Sequence, residues 1–343
     1  MSLTPKALLF RIIAAAAFLV VVLGVCLLVG SEPVSLVEAL RGPVHDGRMN
    51  MDYEILFRIR LPRVLLAAII GSALAAAGCV FQAVLRNPLA DPYILGISSG
   101  AGLGTMTAVM LGWTWSLMGV SAMMLAAFVG ALCTTWLVWL IGRAAGRANM
   151  TALLLAGVVV NAFFSALIMF LTSIARARQV QTTMFWLMGS IAQMQRFEVV
   201  AATALLVAAG VMVLLRLGPS LNLLSFGPEE AASAGLSISS VCFTAFAVSA
   251  LMTSAAVCLG GLIGFVGLIV PHAVRLAAGP DHRQLIPVSA LVGGAFVALA
   301  DAIARVVVAP AMLPVGVVTA MVGGPFFLIL LVRHTKNLPW GSK

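Results

Sequence analysis

A chain of 343 residues that is 62% hydrophobic and only 9% charged, with a mean hydropathy of +1.13, is not a soluble globule, in which about a quarter of residues carry charge. Its net charge of +9 does not point to nucleic acid, because the arginines gather at the ends of apolar runs, as orientation signals do. The runs are continuous rather than alternating, which argues against a β-barrel, and at roughly 20 residues per span they give a single all-α polytopic membrane domain over the whole chain with about ten transmembrane helices.

The first run, Ile12 to Val29, follows Lys6 and Arg11 and ends in Val29-Gly30-Ser31-Glu32-Pro33, which offers no convincing cleavage site. An uncleaved first helix with a cytoplasmic N-terminus is expected. Residues 31–60 are rich in acids and read as an outer loop, solvated and partly helical, lying on the membrane surface. Later spans are expected at Leu61 to Leu85, Ile94 to Leu111, Leu117 to Ile141, Ala152 to Ile174, Val199 to Leu215, Ile238 to Leu259, Leu262 to Leu276, Leu285 to Ala309 and Val315 to Val332. That order puts Arg86, Arg143 with Arg147, Arg216, Arg275 with Arg283, and Arg333 with Lys336 inside, and both termini in the cytoplasm. Arg41, Arg48, Arg58, Arg60, Arg63, Arg176, Arg178 and Arg305 fall outside, where something is expected to want them.

Between the second and third spans, Asn87 to Gly102 places Pro88, Pro92 and polar turn residues among apolar runs. Each unpaired N–H or C=O in hydrocarbon costs several kcal/mol, so such a break faces water or is packed inside protein, where transporters place gates and sites. The order seen from Ala77 to Gly104, small-residue helix, proline break, basic or acidic turn and glycine-rich helix, recurs weakly from Val257 to Gly294, as two inverted halves of a transporter would leave it. Gly96, Gly100 and Gly104, and again Gly260 with Gly264, are spaced for close helix packing rather than for a dinucleotide loop.

Polar groups within the spans are few, which counts against a membrane-integral enzyme. Asp301 and Arg305 stand at i, i+4 near the outer end of the ninth span; either they neutralise one another or Arg305 also serves a partner. Asn161, Thr172-Ser173 and Thr182-Thr183 are expected to make interhelical hydrogen bonds, and His272 and His282 to lie in or near a capped, solvated inner turn rather than to ligate haem. The five cysteines all lie in apolar runs with no C-x-x-C pair, so free packed thiols are expected and no metal site.

The inner segment 218–236 is different. Gly227-Pro228-Glu229-Glu230 puts proline and two acids at a helix start, Gly235 is placed to end that helix, and Leu221, Leu223, Leu224 and Phe226 offer apolar surface for a cytoplasmic partner. No lysine completes G-x-x-x-x-G-K-[ST], and the spans show no chain of buried carboxylates for a proton relay. A pump of this composition needs a separate subunit to hydrolyse its fuel.

A set of ordered motifs then resembles the FecCD-type permeases of binding-protein-dependent ABC importers, the family of cobalamin, ferric-siderophore and haem permeases. They are Arg60-Leu61-Pro62-Arg63, Gln82 to Pro92 with Leu95 to Ala101, Leu153 to Gly157, Phe185 to Ser190, Gly264 to His272, Gly279 to Arg283, and Leu313 to Thr319. The resemblance implies a ten-helix type II ABC importer permease that pairs with a second copy of itself, and with ATP-binding cassette subunits that bind ATP and Mg, so that no cofactor sits in this chain. It assigns Leu221, Leu224, Phe226, Glu229, Glu230 and Gly235 to coupling helices that fit the ATPase. It aligns Arg60, Arg63 and Arg305 with arginines that pair with glutamates of a periplasmic or lipid-anchored substrate-binding protein, so charge reversal there is expected to abolish docking without unfolding the chain. Leu89, Met150 and Thr151 resemble the cytoplasmic gate, with Met150 a departure from the small polar residue often found there. An inner (plasma) membrane location in a bacterium or archaeon follows. The rivals are an ion-coupled secondary transporter and, further off, a membrane-integral enzyme.

Overall fold

A computed structural model describes residues 4–45, 48–144, 150–191 and 196–336. Arg147 lies outside the described residues, as does the side chain of Met150. In chain order the helices are α1 (Pro5–Leu28), α2 (Leu36–Ala39), α3 (Met51–Tyr53), α4 (Leu61–Val84), α5 (Ile97–Met110), α6 (Ala122–Ala144) and α7 (Met150–Ile174). They continue with α8 (Ala177–Leu187), α9 (Phe197–Leu224), α10 (Pro228–Ser233), α11 (Ile238–Gly260), α12 (Val266–Ala278), α13 (His282–Val306) and α14 (Val315–Lys336). Two short antiparallel hairpins, β1 (Val44–His45) with β2 (Arg48–Met49) and β3 (Ser116–Leu117) with β4 (Val120–Ser121), lie in connections.

Each of the ten expected spans has a helix. Seven are long and apolar enough to cross a membrane: α1, Met51–Val84, α6, Thr151–Ile174, α9, α11 and α13. The other three are short: α5 has 14 residues, α12 has 13, and the apolar part of α14 is Val315–Ile329. Because a helix satisfies its own backbone, it is the element this apolar composition can place in lipid.

The bundle is built around α4, which packs against α13, α11, α12 and α9. Its small residues make this possible. A Cβ on Gly71 would overlap the carbonyl oxygen of Gly293 in α13, and one on Gly78 would overlap that of Gly267 in α12, so these helices meet backbone to backbone.

Several boundaries differ from the sequence expectation. The second span begins earlier, because Met51–Tyr53 runs through a π-helical stretch, Glu54–Arg60, directly into α4. The Leu61 N–H bonds to Leu56 O, five residues back, and this widened turn carries Pro62 without ending the helix. Arg60 therefore stands on a helix rather than on a surface loop, one turn ahead of Arg63. The sixth span runs on through Pro219 to Leu224, nine residues past its expected end at Leu215. The helix α8 was not anticipated: Thr183 and Trp186 are buried while Arg178 and Thr182 face away, a one-sided pattern too short and polar to register as a span.

Candidate functional site in the helix breaks and at the two ends of the bundle

After α4, the chain turns at Arg86, a non-glycine residue with φ +49°, and the Asn87 and Asp91 side chains then organise the break. Asn87 Oδ1 accepts from Leu89 N at 2.9 Å and Asp91 Oδ1 from Tyr93 N at 2.8 Å, which starts a single 3₁₀ turn, Pro92–Leu95, before Gly96 at φ +81° opens α5. Backbone polar groups in this irregular stretch thus find local acceptors, as burial demands.

The second break, residues 261–265, separates α11 from α12 and contains no proline. Gly261 has φ +66°, and Phe265 holds φ +68°, an uncommon conformation for an aromatic residue. A Cβ on Gly323 of α14 would come within 2.5 Å of Phe265, so that glycine makes room for the ring. The two breaks touch one another: Tyr93 Oη donates to Ile263 O and accepts from Ile263 N, both at 3.0 Å. Gln82 Nε2 adds bonds to Gly267 O and Leu268 O at 3.3 Å, and Arg275 Nη2 bonds Gln82 Oε1 at 3.0 Å. Two short half-helices, α5 and α12, therefore start from one shared polar junction inside the bundle.

At one end, α10 projects beyond α9. Gly227, at φ +137°, lets the chain turn into Pro228, and Glu229 and Glu230 occupy the first turn. Gly235 N bonds Ala232 O and Leu236 N bonds Ala231 O, the pair of reversed bonds that closes a helix on a left-handed glycine. Phe226 beside it is 75% exposed, and both glutamates face out, but Leu221 and Leu224 point into the bundle. The expectation that all of these residues form one presented surface is corrected for those two leucines, which continue the buried face of α9. At the same end Asp281 caps α13 by accepting from Arg283 N at 3.0 Å, and the Arg283 guanidinium beside it holds its carboxyl well below the usual carboxylate range. His282, expected in a solvated turn, is buried.

The opposite end holds Arg60, Arg63, Arg305 and Asp301, at 5, 7, 4 and 0% exposure. Asp301 Oδ1 pairs with Arg63 Nη2 at 2.9 Å and its Oδ2 with Arg305 Nε at 3.0 Å. Arg305 also donates to Cys26 O and Val29 O, each at 3.0 Å, and Arg60 donates to Leu27 O, Leu28 O and Glu32 O. The i, i+4 pair read from the sequence is thus a triad whose third member, Arg63, comes from another helix. The structure brings the three arginines together but turns them inward. Reversing their charge would set carboxylates against Asp301, so it would not leave the fold intact.

Residues 18–333 match the model of the FecCD transport family. The chain belongs to that family. It is 40% identical over 286 residues to the hemin transport system permease of Yersinia pestis, across 83% of this chain and 85% of that protein. It is 42% identical over 297 residues to the cobalamin import system permease of Halobacterium salinarum, across 87% and 78%. A solved chain reported as an inward-facing conformation of a metal-chelate type ABC transporter superposes with a TM-score of 0.82 at 30% identity, covering 96% of this chain and all of that one.

As a FecCD-family membrane permease, the chain presents its remaining candidate residues on the break and on α7. Leu89 is half-buried beside the Asn87 turn, and Thr151 is exposed at the start of α7. Gly157, two turns into α7, lies against the 3₁₀ turn, where a Cβ would be 2.6 Å from Ile94 O, so this part of α7 packs on the break. A groove of about 560 Å³ between α5 and α6, lined by residues including Gly104, Val129, Thr134, Leu137 and Trp113, carries no charged side chain that could select a chelate. Tyr93, Gln82, Gly261 and Phe265 went unremarked as site residues in the sequence; the tyrosine in a proline-rich break was the available signal.

Proposed function

We propose that this chain is the permease subunit of a binding-protein-dependent ABC importer that moves an iron chelate, haem or cobalamin inward across a bacterial or archaeal plasma membrane. The observation that carries the proposal is α10: a six-residue helix that starts at Gly227-Pro228 and closes on Gly235, with two outward glutamates and an exposed phenylalanine, standing clear at one end of the bundle. An apolar anchor ringed by charge fits a groove on a soluble partner. With no P-loop in the sequence, that partner is the ATP-binding cassette subunit, which holds ATP and Mg.

In this reading the α10 end is cytoplasmic, as are both termini, and a second copy completes a path along the dimer axis. Leu89, Met150 and Thr151 form the inner constriction, since they lie on the break and on the start of α7. The arginine end faces the substrate-binding protein, whose glutamates compete with Asp301 and the helix-end carbonyls for the guanidinium donors of Arg60, Arg63 and Arg305. The names of the relatives support haem, cobalamin and ferric chelates as the substrate class.

The test is reconstitution in vesicles with the ATPase and a loaded binding protein. Uptake that requires ATP is expected, and uptake lost in Glu229→Lys/Glu230→Lys with permease stability unchanged. Flux that persists without the ATPase refutes the proposal.

A further inference from the structure

Displacing α10 moves α9 and α11 through their covalent connections. From the end of α9 a side-chain link leads on to a further helix. Asn222, six positions before Pro228, donates from Nδ2 to Asp281 Oδ1 at 2.8 Å, while its Oδ1 accepts from the backbone N–H of His282, also at 2.8 Å. His282 Nδ1 lies 2.8 Å from the same oxygen, so that nitrogen carries the proton. The amide of one helix end therefore bonds both the cap residue and the first residue of another helix. It cannot slide freely, because Leu221 and Leu224 on either side are buried, and one turn earlier a Cβ on Gly218 would sit 3.3 Å from Arg283 N and 3.4 Å from its Cα.

The helix so held is α13. Its 25 residues, at 1.5 Å each, span about 37 Å, and the helix continues past the interior Pro287. Gly293 and Gly294 press its middle against α4, where an added Cβ would meet Ala75 Cβ and Gly71 O at one and Ser72 Oγ and Ala68 O at the other, contacts too close to absorb much of a shift. Its far end carries Asp301 and Arg305, which hold Arg63 and the last carbonyls of α1.

We propose that Asn222, in the last turn of α9 just ahead of the ATPase-facing helix α10, is a positioning residue that ties that end of α9 to α13, so that movement at the inner face is carried along α13 to the arginine cluster at the outer face. The inference rests on the importer reading above. It assigns Asn222 a role in how much transport each ATP yields, separate from ATP hydrolysis itself and from assembly.

The decisive variant is Asn222→Asp, of the same shape, which puts a carboxylate opposite Asp281; Asn222→Asp/Asp281→Asn restores one donor and one acceptor across the gap. Wild type and both variants, each in the full reconstituted complex with loaded binding protein, are compared for complex recovered, ATP hydrolysed and uptake per ATP. Asn222→Asp is expected to assemble and hydrolyse at close to the wild-type rate while uptake per ATP falls about tenfold, equivalent to ~1.4 kcal/mol, and the double variant to recover to within about twofold. Should Asn222→Asp fail to assemble, the smaller neutral Asn222→Ser is expected to show the same loss. A merely structural role would lower complex recovery and leave uptake per ATP unchanged in what survives, and that result overturns the relay, as does a double variant that stays uncoupled. A wild-type complex without ATP-dependent uptake removes the importer reading and the relay with it, whereas normal wild-type uptake with an indifferent Asn222→Asp removes the relay alone.

Discussion

Replacing Asp301 by asparagine would remove the one carboxylate that faces two guanidiniums, at 2.9 and 3.0 Å, in a site where all three side chains are buried. Removing one member of a buried ion pair costs about 3–5 kcal/mol, because the remaining charge has neither water nor a counter-charge. Asparagine keeps one acceptor but turns an NH₂ toward an arginine, so we expect a loss of about 4 kcal/mol; at roughly 2 °C per kcal/mol for a chain of this size, the midpoint falls by about 8 °C. Thermal unfolding followed by tryptophan fluorescence, in one fixed detergent, reads it. The drop should be nearly the same at low and high salt, since buried charges are little screened. Glu38→Gln, which removes only the exposed pair with Arg41 at 3.0 Å, should shift the midpoint hardly at all. Replacing the whole triad, as Arg63→Met/Asp301→Leu/Arg305→Met, should recover part of the loss; Cys26 O and Val29 O still lose their donor. A midpoint for Asp301→Asn within about 2 °C of wild type would refute the claim that this carboxylate holds the cluster together.

Gly78→Ala should destabilise by more than about 2 kcal/mol, because its methyl would overlap the Gly267 carbonyl and force α4 from α12. Gly24→Ala, with open space at the same atom, should be neutral or gain about 0.5–1 kcal/mol, and the same melting assay separates the two. Tyr93→Phe deletes both bonds to Ile263 and leaves a backbone N–H and C=O unpaired at the second break, so a loss of about 2 kcal/mol is expected and an unchanged midpoint would remove the junction between the breaks. Asp281→Asn addresses pH. The folded-state pKa of Asp281 is depressed, so its ionised form adds stability above the ordinary carboxylate range, and that contribution is lost as pH falls toward the lower folded value. Melting curves from pH 6 to pH 3 should therefore decline less steeply for Asp281→Asn than for wild type; parallel curves would contradict the sign.

What the amino-acid pattern could and could not reveal follows from the range of each interaction. The spans were legible because lipid allows one solution for a long apolar run, and the first break because Pro88 and Pro92 interrupt such a run. The second break was expected at a proline between Val257 and Gly294, but residues 261–265 hold none: the turn depends on Gly261 and on Phe265 at positive φ, and nothing local distinguishes Phe265 from any other apolar residue. Partners far apart in the chain were out of reach altogether: Arg63 is 238 residues from Asp301, and Asn222 is 59 from Asp281. Arg60, Arg63 and Arg305 show the consequence. Counted along the chain they are unmatched positive charge, yet in three dimensions one carboxylate and several helix-end carbonyls already accept their hydrogen bonds. The same holds in reverse at the α10 end. The sixth span was expected to end at Leu215, ahead of Gly218-Pro219, but the buried positions Gly210, Leu214, Gly218, Leu221 and Leu224 keep a spacing of three or four straight through it. That persistence of the helical period past a proline is what turns Leu221 and Leu224 inward, fixes Asn222 between them, and leaves Phe226 with the two glutamates as the surface a partner can reach.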